Sequence, residues 1–256
     1  MQGCVCPHPP LLVPAIGRLD REQIRATVAG MEQLATAVGE HETTVVISPH
    51  APLTYDAFRV TMADRLFGHL GAFGAPQVRV GAPCDVEFAE ALLKAALRSG
   101  LPMQGAPREQ LDHGVVVPLT FLPPQRLVCL SIVADYSPHR QLGALVRRVA
   151  EELDRDVLFV ASGDLSHRLI PGAPAGYDER GPVFDHRVVE LLSEADFPAL
   201  ERLDPDLVQR AGECGLRSLI ALGGFLGEQA PLEPQIYSYE GPFGVGYLVA
   251  GFGSRS

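Results

Sequence analysis

The chain has 256 residues, of which 46% are hydrophobic and 20% charged, and its formal net charge is −10. These values are typical of a globular protein with one large domain or two small ones. The negative charge argues against a nucleic-acid backbone or an anionic membrane as the main partner. No apolar run is long enough to span a bilayer, and the N-terminus lacks the features of a signal peptide. Five scattered cysteines indicate reduced thiols and a cytoplasmic location rather than a disulfide framework.

Hydrophobic periodicity in the first half of the chain alternates between helical and strand patterns. An apolar stripe predicts a helix from Asp20, its N-cap, to Val38. Asp85 is expected to cap a second helix that ends near Arg98. Buried or edge strands are predicted at 43–48, 58–63 and 78–80, whereas 68–76 and 101–113 are interpreted as loops. The segment 115–122 is apolar but contains Pro118, so it is predicted to be a short helix or irregular.

The second half continues the alternation. Strands are predicted at 126–134 and 157–161, with a helix from Ser137 to about Leu153 between them. A loop at 171–182 is rich in Gly and Pro and is a candidate lid over a site. Helical patterns follow at 184–192 and 207–226, the latter broken near 212–215. Two final strands, 236–240 and 245–252, flank a Gly-Pro turn.

This order predicts an α/β fold in which a central mixed, largely parallel sheet is flanked by helices. The sequence contains no internal repeat, low-complexity tract or linker. A single domain covering residues 1–256 is therefore expected.

Four histidines occupy the same kind of position, in loops rich in Pro, Gly or Ser beside predicted strand ends. They are His8, His50, His113 and His167. In α/β folds, ligands bind beyond the carboxyl ends of the strands, so these side chains are the candidate functional residues. The remaining histidines, 41, 69, 139 and 186, fall in surface loops or helical patterns and are interpreted as structural.

Two neutral imidazoles and one carboxylate suit a divalent first-row metal, as in the facial triad of non-haem Fe(II) oxygenases. His8 and His50, each beside prolines, are the predicted ligands. Glu240, at the end of a predicted strand, is the preferred carboxylate. The competing carboxylates are Glu213, Asp112 and Asp164.

His113 and His167 remain for acid–base chemistry, because a histidine with a near-neutral pKa exchanges protons at physiological pH. Other mechanisms lack their motifs. The stretch Ser162–His167 is not a nucleophile elbow, and the sequence has neither a dinucleotide fingerprint nor a P-loop. Cys214 is interpreted as a packed residue at a helix break.

Four motifs occur in an order that resembles class III extradiol ring-cleaving dioxygenases, catalytic (B) subunit family. They are Pro7-His8-Pro9-Pro10, Ser48-Pro49-His50-Ala51, Asp112-His113-Gly114 and Ser162-Gly163-Asp164-Leu165-Ser166-His167. The resemblance implies a single α/β domain and mononuclear Fe(II), with Mn and Zn as alternative metals. It also implies His8, His50 and Glu240 as metal ligands, His167 as the acid–base residue and His113 as a pocket histidine.

The expected reaction is therefore extradiol cleavage of a catecholic or aminophenolic aromatic with incorporation of both atoms of O2. The partners would be this small aromatic and O2, with neither nucleic acid nor membrane, and a homo-oligomer is compatible with the sequence. Arg59, Arg168 and Arg180 are candidates for binding a substrate carboxylate, although each is more simply interpreted as a surface residue.

Two other functions stay open. The Memo-like proteins share this fold and similar histidines but are not established ring-cleavage enzymes, and the stretch 212–217 looks somewhat like a Cys-Gly-Arg segment of that branch. Such a protein would be a non-catalytic metal-binding or redox-accessory protein. The third possibility is a zinc or manganese hydrolase on the same scaffold.

Overall fold

A computed structural model describes residues 1–51, 55–107, 110–227 and 232–254. The strands are β1 (Gln2–Cys6), β2 (Thr43–Ser48), β3 (Phe58–Thr61), β4 (Arg65–Leu70), β5 (Ala75–Pro83), β6 (Met103–Ala106), β7 (Leu127–Ser131), β8 (Val157–Ser162), β9 (Leu232–Glu240) and β10 (Tyr247–Ser254). The α-helices are α1 (Pro14–Gly17), α2 (Arg25–Val38), α3 (Val86–Ser99), α4 (His113–Leu119), α5 (His139–Glu152), α6 (Arg180–Ser193), α7 (Phe197–Leu200), α8 (Pro205–Ala211) and α9 (Leu216–Leu226).

One large sheet carries the fold, with strands in the order β6-β3-β7-β2-β8-β1-β10-β9. Its four central strands, β7, β2, β8 and β1, are mutually parallel. Strand β10 runs antiparallel to both β1 and β9, and β3 runs antiparallel to β7. The carboxyl ends of the four central strands therefore meet at one edge, which is where α/β proteins place their sites. The predicted mixed, largely parallel sheet is confirmed.

Side chains of the central strands alternate between two apolar layers, as the pleat requires. Val45 and Ile47 face a core shared with α3, α5 and α9, whereas Val46 faces a second core shared with α2 and α4. Both faces are covered by helices, which explains why β2 and β8 are buried along their whole length.

Most predicted elements are found near their predicted bounds. Strand β2 matches, and Asp85 caps α3 by accepting a hydrogen bond from the Phe88 N–H at 3.2 Å. The helical break near 212–215 separates α8 from α9. The candidate lid ends early, because α6 already begins at Arg180. The first helical pattern divides into a 3-10 turn, Asp20–Ile24, followed by α2.

Two segments interpreted as loops are partly strands. Residues 68–76 fall mostly in a hairpin of β4 and β5 that forms a separate two-stranded sheet. Its glycines allow close packing, since a Cβ on Gly68 would lie 2.5 Å from the Val116 side chain. The segment 101–113 contains β6, a four-residue strand paired with β3. In both segments the strand residues are few or include Gly and Ala, so the sequence there shows no clear apolar pattern.

Among the described residues, no helix has the length and apolar character needed to cross a membrane.

Candidate metal centre

Three histidines meet at the carboxyl edge of the sheet. The ligand atoms of His8, His50 and His113 all lie within 4.8 Å of one another. The Nε2 atoms of His8 and His50 are 2.9 Å apart. His8 is buried, His113 is half-buried and His50 is exposed, so the cluster opens to solvent on the His50 side. The structure thus brings together three of the four histidines predicted from strand ends.

Sheet topology explains why these residues meet. His8 follows β1 and His50 follows β2, and both strands pair in parallel with β8. His113 begins α4, which packs over the same edge. Gly114 permits this close approach, since a Cβ there would lie 2.5 Å from Ser48 Oγ and 3.2 Å from the His50 ring.

The tautomer of His8 follows from its hydrogen bonds. The Ser162 hydroxyl donates its single proton to the Gly114 carbonyl at 2.5 Å. At 3.0 Å from His8 Nδ1, the same oxygen can then only accept, so Nδ1 carries the proton. This leaves a lone pair on Nε2 of the neutral ring, directed at the cluster.

The electrostatics favour neutral imidazoles. Burial lowers the pKa of His8 well below its usual value, and the neighbouring His50 and His113 lower it further. Burial also lowers the pKa of His50, and it lowers that of His113 to about 4, with a contribution from His50. Neutral imidazole is the form that binds a metal, so the donor set fits a divalent ion.

Acidic groups lie next to the cluster, with Asp164 Oδ2 3.7 Å from His8 Nε2. Asp164 is buried and its Oδ1 accepts a hydrogen bond from the His8 N–H at 3.0 Å. Burial raises the pKa of Asp164 to about 6. Asp112 Oδ1 accepts from Ser48 Oγ at 2.7 Å, and that hydroxyl also accepts from the His50 N–H at 3.2 Å.

Glu240, the carboxylate predicted as third ligand, does not belong to this group of ligand atoms. Its Oε1 accepts hydrogen bonds from the Thr27 N–H and the Thr27 hydroxyl, both at 2.6 Å. Strand β10 lies between β1 and β9, so Glu240 is two strand spacings, on the order of 10 Å, from β1. In this structure Glu240 stabilises the N-terminus of α2, where a carboxylate suits the helix dipole.

His167 lies near the cluster but does not belong to the group of possible metal ligands. Its Nδ1 lies 3.0 Å from the Gly212 carbonyl oxygen, and its backbone N–H donates to Ala211 at 3.3 Å. A positive charge on His167 would lower the pKa values of His8 and His50, which places it within their electrostatic reach. The donor Nδ1–H leaves Nε2 of a neutral ring free to accept a proton.

Cys214, interpreted from the sequence as a packed residue, also lies beside the cluster. Its Sγ lies 3.9 Å from His8 Nε2 and accepts a hydrogen bond from the Asp164 N–H at 3.3 Å. Two glycines allow this approach, because a Cβ on Gly163 would lie 2.3 Å from Gly215 Cα. The signal in the sequence was the Gly-flanked Cys in a helix break. Burial raises the pKa of its thiol well above the usual value.

The remaining predicted candidates lie elsewhere. Glu213 is held by the Tyr136 hydroxyl at 2.8 Å and the Leu216 N–H at 2.6 Å. The histidines interpreted as structural, 41, 69, 139 and 186, are all outside the group. Among the candidate carboxylate binders, Arg180 pairs with Asp204 at 3.3 Å, and Arg168 Nη1 donates to the Arg210 carbonyl at 3.2 Å.

Comparison with known proteins agrees with this architecture. The family described as the catalytic LigB subunit of aromatic ring-opening dioxygenase matches residues 2–250. A solved structure of an uncharacterised Escherichia coli protein superposes with a TM-score of 0.66 at 20% identity, covering 99% of this chain and 100% of the other. That similarity shows the fold.

Two curated relatives extend the comparison. A Clostridium acetobutylicum protein named by its locus alone is 33% identical over 260 residues, which is 95% of this chain and 55% of the relative. An Escherichia coli 2,3-dihydroxyphenylpropionate/2,3-dihydroxicinnamic acid 1,2-dioxygenase is 35% identical over 144 residues, which is 52% of this chain and 43% of that enzyme. The chain thus spans about half the length of these relatives. With the family match over nearly its whole length, it belongs to the family of the catalytic LigB subunit of aromatic ring-opening dioxygenases.

Proposed function

We propose that this chain is a non-haem Fe(II)-dependent extradiol dioxygenase that opens the ring of a catecholic or aminophenolic aromatic. The observation that carries the proposal is the group of three neutral imidazoles at the carboxyl edge of the sheet, in a chain of the ring-opening dioxygenase family. A relative whose name specifies an aromatic with adjacent hydroxyl groups supports the substrate class.

His8, His50 and His113 would hold the metal. The Nε2 atoms of His8 and His50, 2.9 Å apart, are close enough for both to bind one metal ion. When bound, Fe(II) would bring the aromatic and O2 together and act as a Lewis acid. His113 thereby becomes a candidate ligand in addition to the pocket residue that the resemblance implies.

His167 would act as the acid–base residue. With Nδ1 directed at the Gly212 carbonyl, its Nε2 would take the proton from a substrate hydroxyl and later return it to the product side. Asp164 would support this chemistry indirectly by holding the His8 backbone.

The test is electron paramagnetic resonance of protein reconstituted anaerobically with Fe(II) and exposed to nitric oxide, with and without catechol. We expect a high-spin iron–nitric oxide signal that catechol alters, because a ring-opening site must accept both ligands at once. Oxygen uptake with a set of catechols and aminophenols would then follow. A signal that catechol leaves unchanged would contradict the proposal.

A second candidate function is favoured by Cys214. Its Sγ, 3.9 Å from His8 Nε2, would make a His-His-Cys set resembling the Memo-like branch, whose third metal-side position is commonly not a carboxylate. Such a protein would bind metal for a redox-accessory role without cleaving rings. The metal content of Cys214→Ala and His113→Ala distinguishes the two ligand sets. The dioxygenase proposal expects metal to be lost only in His113→Ala, whereas the His-His-Cys set expects it to be lost in Cys214→Ala.

A further inference from the structure

A cavity of about 340 Å³ lies beside the histidine cluster. Its wall includes Ala51 and Asp112, the chain neighbours of His50 and His113. Part of the lining is apolar, from Leu111, Val115 and Cys129. A cavity of this size and character suits a small aromatic molecule.

Among the described residues that line this cavity, Arg59 is the one cation. Arg59 lies on β3 and lines the cavity, together with the polar side chains of Thr61 and Gln104. Phe58 and Val60 point into the core under α3 and α5, so the alternation of the strand turns Arg59 to the opposite face. That face carries α4, with Asp112 and His113 at its start.

The Arg59 guanidinium has no protein acceptor among the described residues. Its Nε is buried and without a hydrogen-bond partner. A buried charged donor left without a partner is costly, so such groups are normally paired. Asp112 is the one carboxylate among the described lining residues, and its Oδ1 accepts from Ser48 instead.

The position of Arg59 relative to the cluster is set by the sheet. Ser48, two residues before His50, is the register partner of Ser131 on β7, and Ser131 Oγ accepts from the Arg59 N–H at 2.9 Å. Arg59 is therefore two strand spacings, about 10 Å, from the end of β2. This span is comparable with the length of an aromatic ring that carries an acidic substituent.

We propose that Arg59 binds the carboxylate of an aromatic acid whose ring occupies this cavity, and so selects anionic substrates. The inference rests on the proposed function for the orientation of the ring, with its hydroxyl groups toward the histidines. The carboxylate would accept hydrogen bonds from the guanidinium, as in other arginine–carboxylate pairs. Neutral catechols would lack this contact.

The test compares two ligands of nearly the same shape, 3,4-dihydroxybenzoate and 3,4-dihydroxybenzamide. Calorimetry on anaerobic Fe(II)-loaded protein gives their dissociation constants without turnover, and the titration is repeated on metal-free protein. We expect wild type to bind the acid at least about tenfold more tightly than the amide, the gain typical of a hydrogen bond to a charged group. In Arg59→Gln the ratio should fall to about one, and Arg59→Lys should restore part of it.

Arg79→Gln is the matched control, because Arg79 is an exposed strand arginine on β5 outside the cavity. It should keep the wild-type ratio. The proposal is overturned if wild type binds the two compounds equally, binds neither, or if Arg59→Gln keeps the preference.

Oxygen uptake separates this proposal from the proposed function. An Arg59-dependent preference without oxygen uptake would uphold the carboxylate site and contradict the dioxygenase. Oxygen uptake together with equal affinity for the acid and the amide would support the dioxygenase and contradict the carboxylate site.

Discussion

The Nε2 atoms of His8 and His50 lie 2.9 Å apart although 42 positions separate the two residues in the chain. Strand β8 lies between β1 and β2, and parallel pairing on both sides brings their carboxyl ends to one edge. With the His8 proton on Nδ1, its Nε2 lone pair faces His50. The His50 Nε2–H therefore donates to this lone pair.

Replacing either histidine should therefore remove the metal. We expect His8→Ala and His50→Ala to lose most of the Fe(II) that wild type retains after anaerobic reconstitution and desalting, measured by elemental analysis. His186→Ala is the control, since His186 is exposed and contacts Pro182 instead. Full iron content in His8→Ala or His50→Ala would refute that ligand assignment.

Ser162 should affect the metal affinity of the same site although it is not itself a predicted ligand. Ser162→Ala removes the acceptor that fixes the His8 proton on Nδ1. Loss of such a supporting hydrogen bond typically weakens metal binding about 10- to 100-fold. Competition with a chelator measures this, with the exposed Ser137→Ala as control. Unchanged affinity in Ser162→Ala would show that ring orientation does not depend on this hydroxyl.

Glu240 provides a test of the original ligand prediction. From its bonds to Thr27, we expect Glu240→Ala to keep the metal and to lower the free energy of unfolding by about 1–2 kcal/mol, the usual cost of losing a helix cap. Urea denaturation and metal analysis give the two values, with the exposed Glu194→Ala as control. Loss of metal with unchanged stability would restore Glu240 as a ligand.

The proposed acid–base role predicts a different outcome for His167. We expect His167→Ala to retain metal while the rate constant for ring opening falls about 10²- to 10⁴-fold, the usual contribution of a positioned acid–base group. Oxygen uptake and metal content are measured on the same preparation. His69→Ala, an exposed histidine on the β4–β5 hairpin, serves as control. Wild-type turnover without His167 would exclude this role.

The sequence predicted those features that depend on local pattern. Apolar runs located β2 and β8, and the prolines and glycines after strands identified loops that carry histidines. It could not show that Glu240 lies two strands away from His8, because which strand neighbours which is a long-range property. The sequence pattern does not indicate that β10 lies between β1 and β9; only the folded sheet shows this strand order. The proximity of Cys214 likewise depends on two glycines, Gly163 and Gly215, that meet across distant segments.

A pH effect is expected from Asp185, a fully buried carboxyl group on α6. Its Oδ1 accepts from the Ser166 N–H and its Oδ2 from the Tyr239 hydroxyl, both at 2.8 Å, so it ties the loop before His167 to β9. Burial raises its pKa to about 7. An unfolded Asp has a pKa of about 3.9, so between these values the folded state binds more protons than the unfolded state.

The contribution of Asp185 to stability is therefore complete below about pH 4 and is lost as the pH rises through about 7. The slope is at most about 1.4 kcal/mol per pH unit. Asp185→Asn removes the titration and keeps an acceptor. We expect the difference in unfolding free energy, wild type minus Asp185→Asn, to be larger at pH 5 than at pH 8 in urea titrations. Other groups, including Asp164 and the cluster histidines, titrate in both proteins and cancel to first order. A difference for Asp185→Asn that does not change with pH over this range would contradict the assignment.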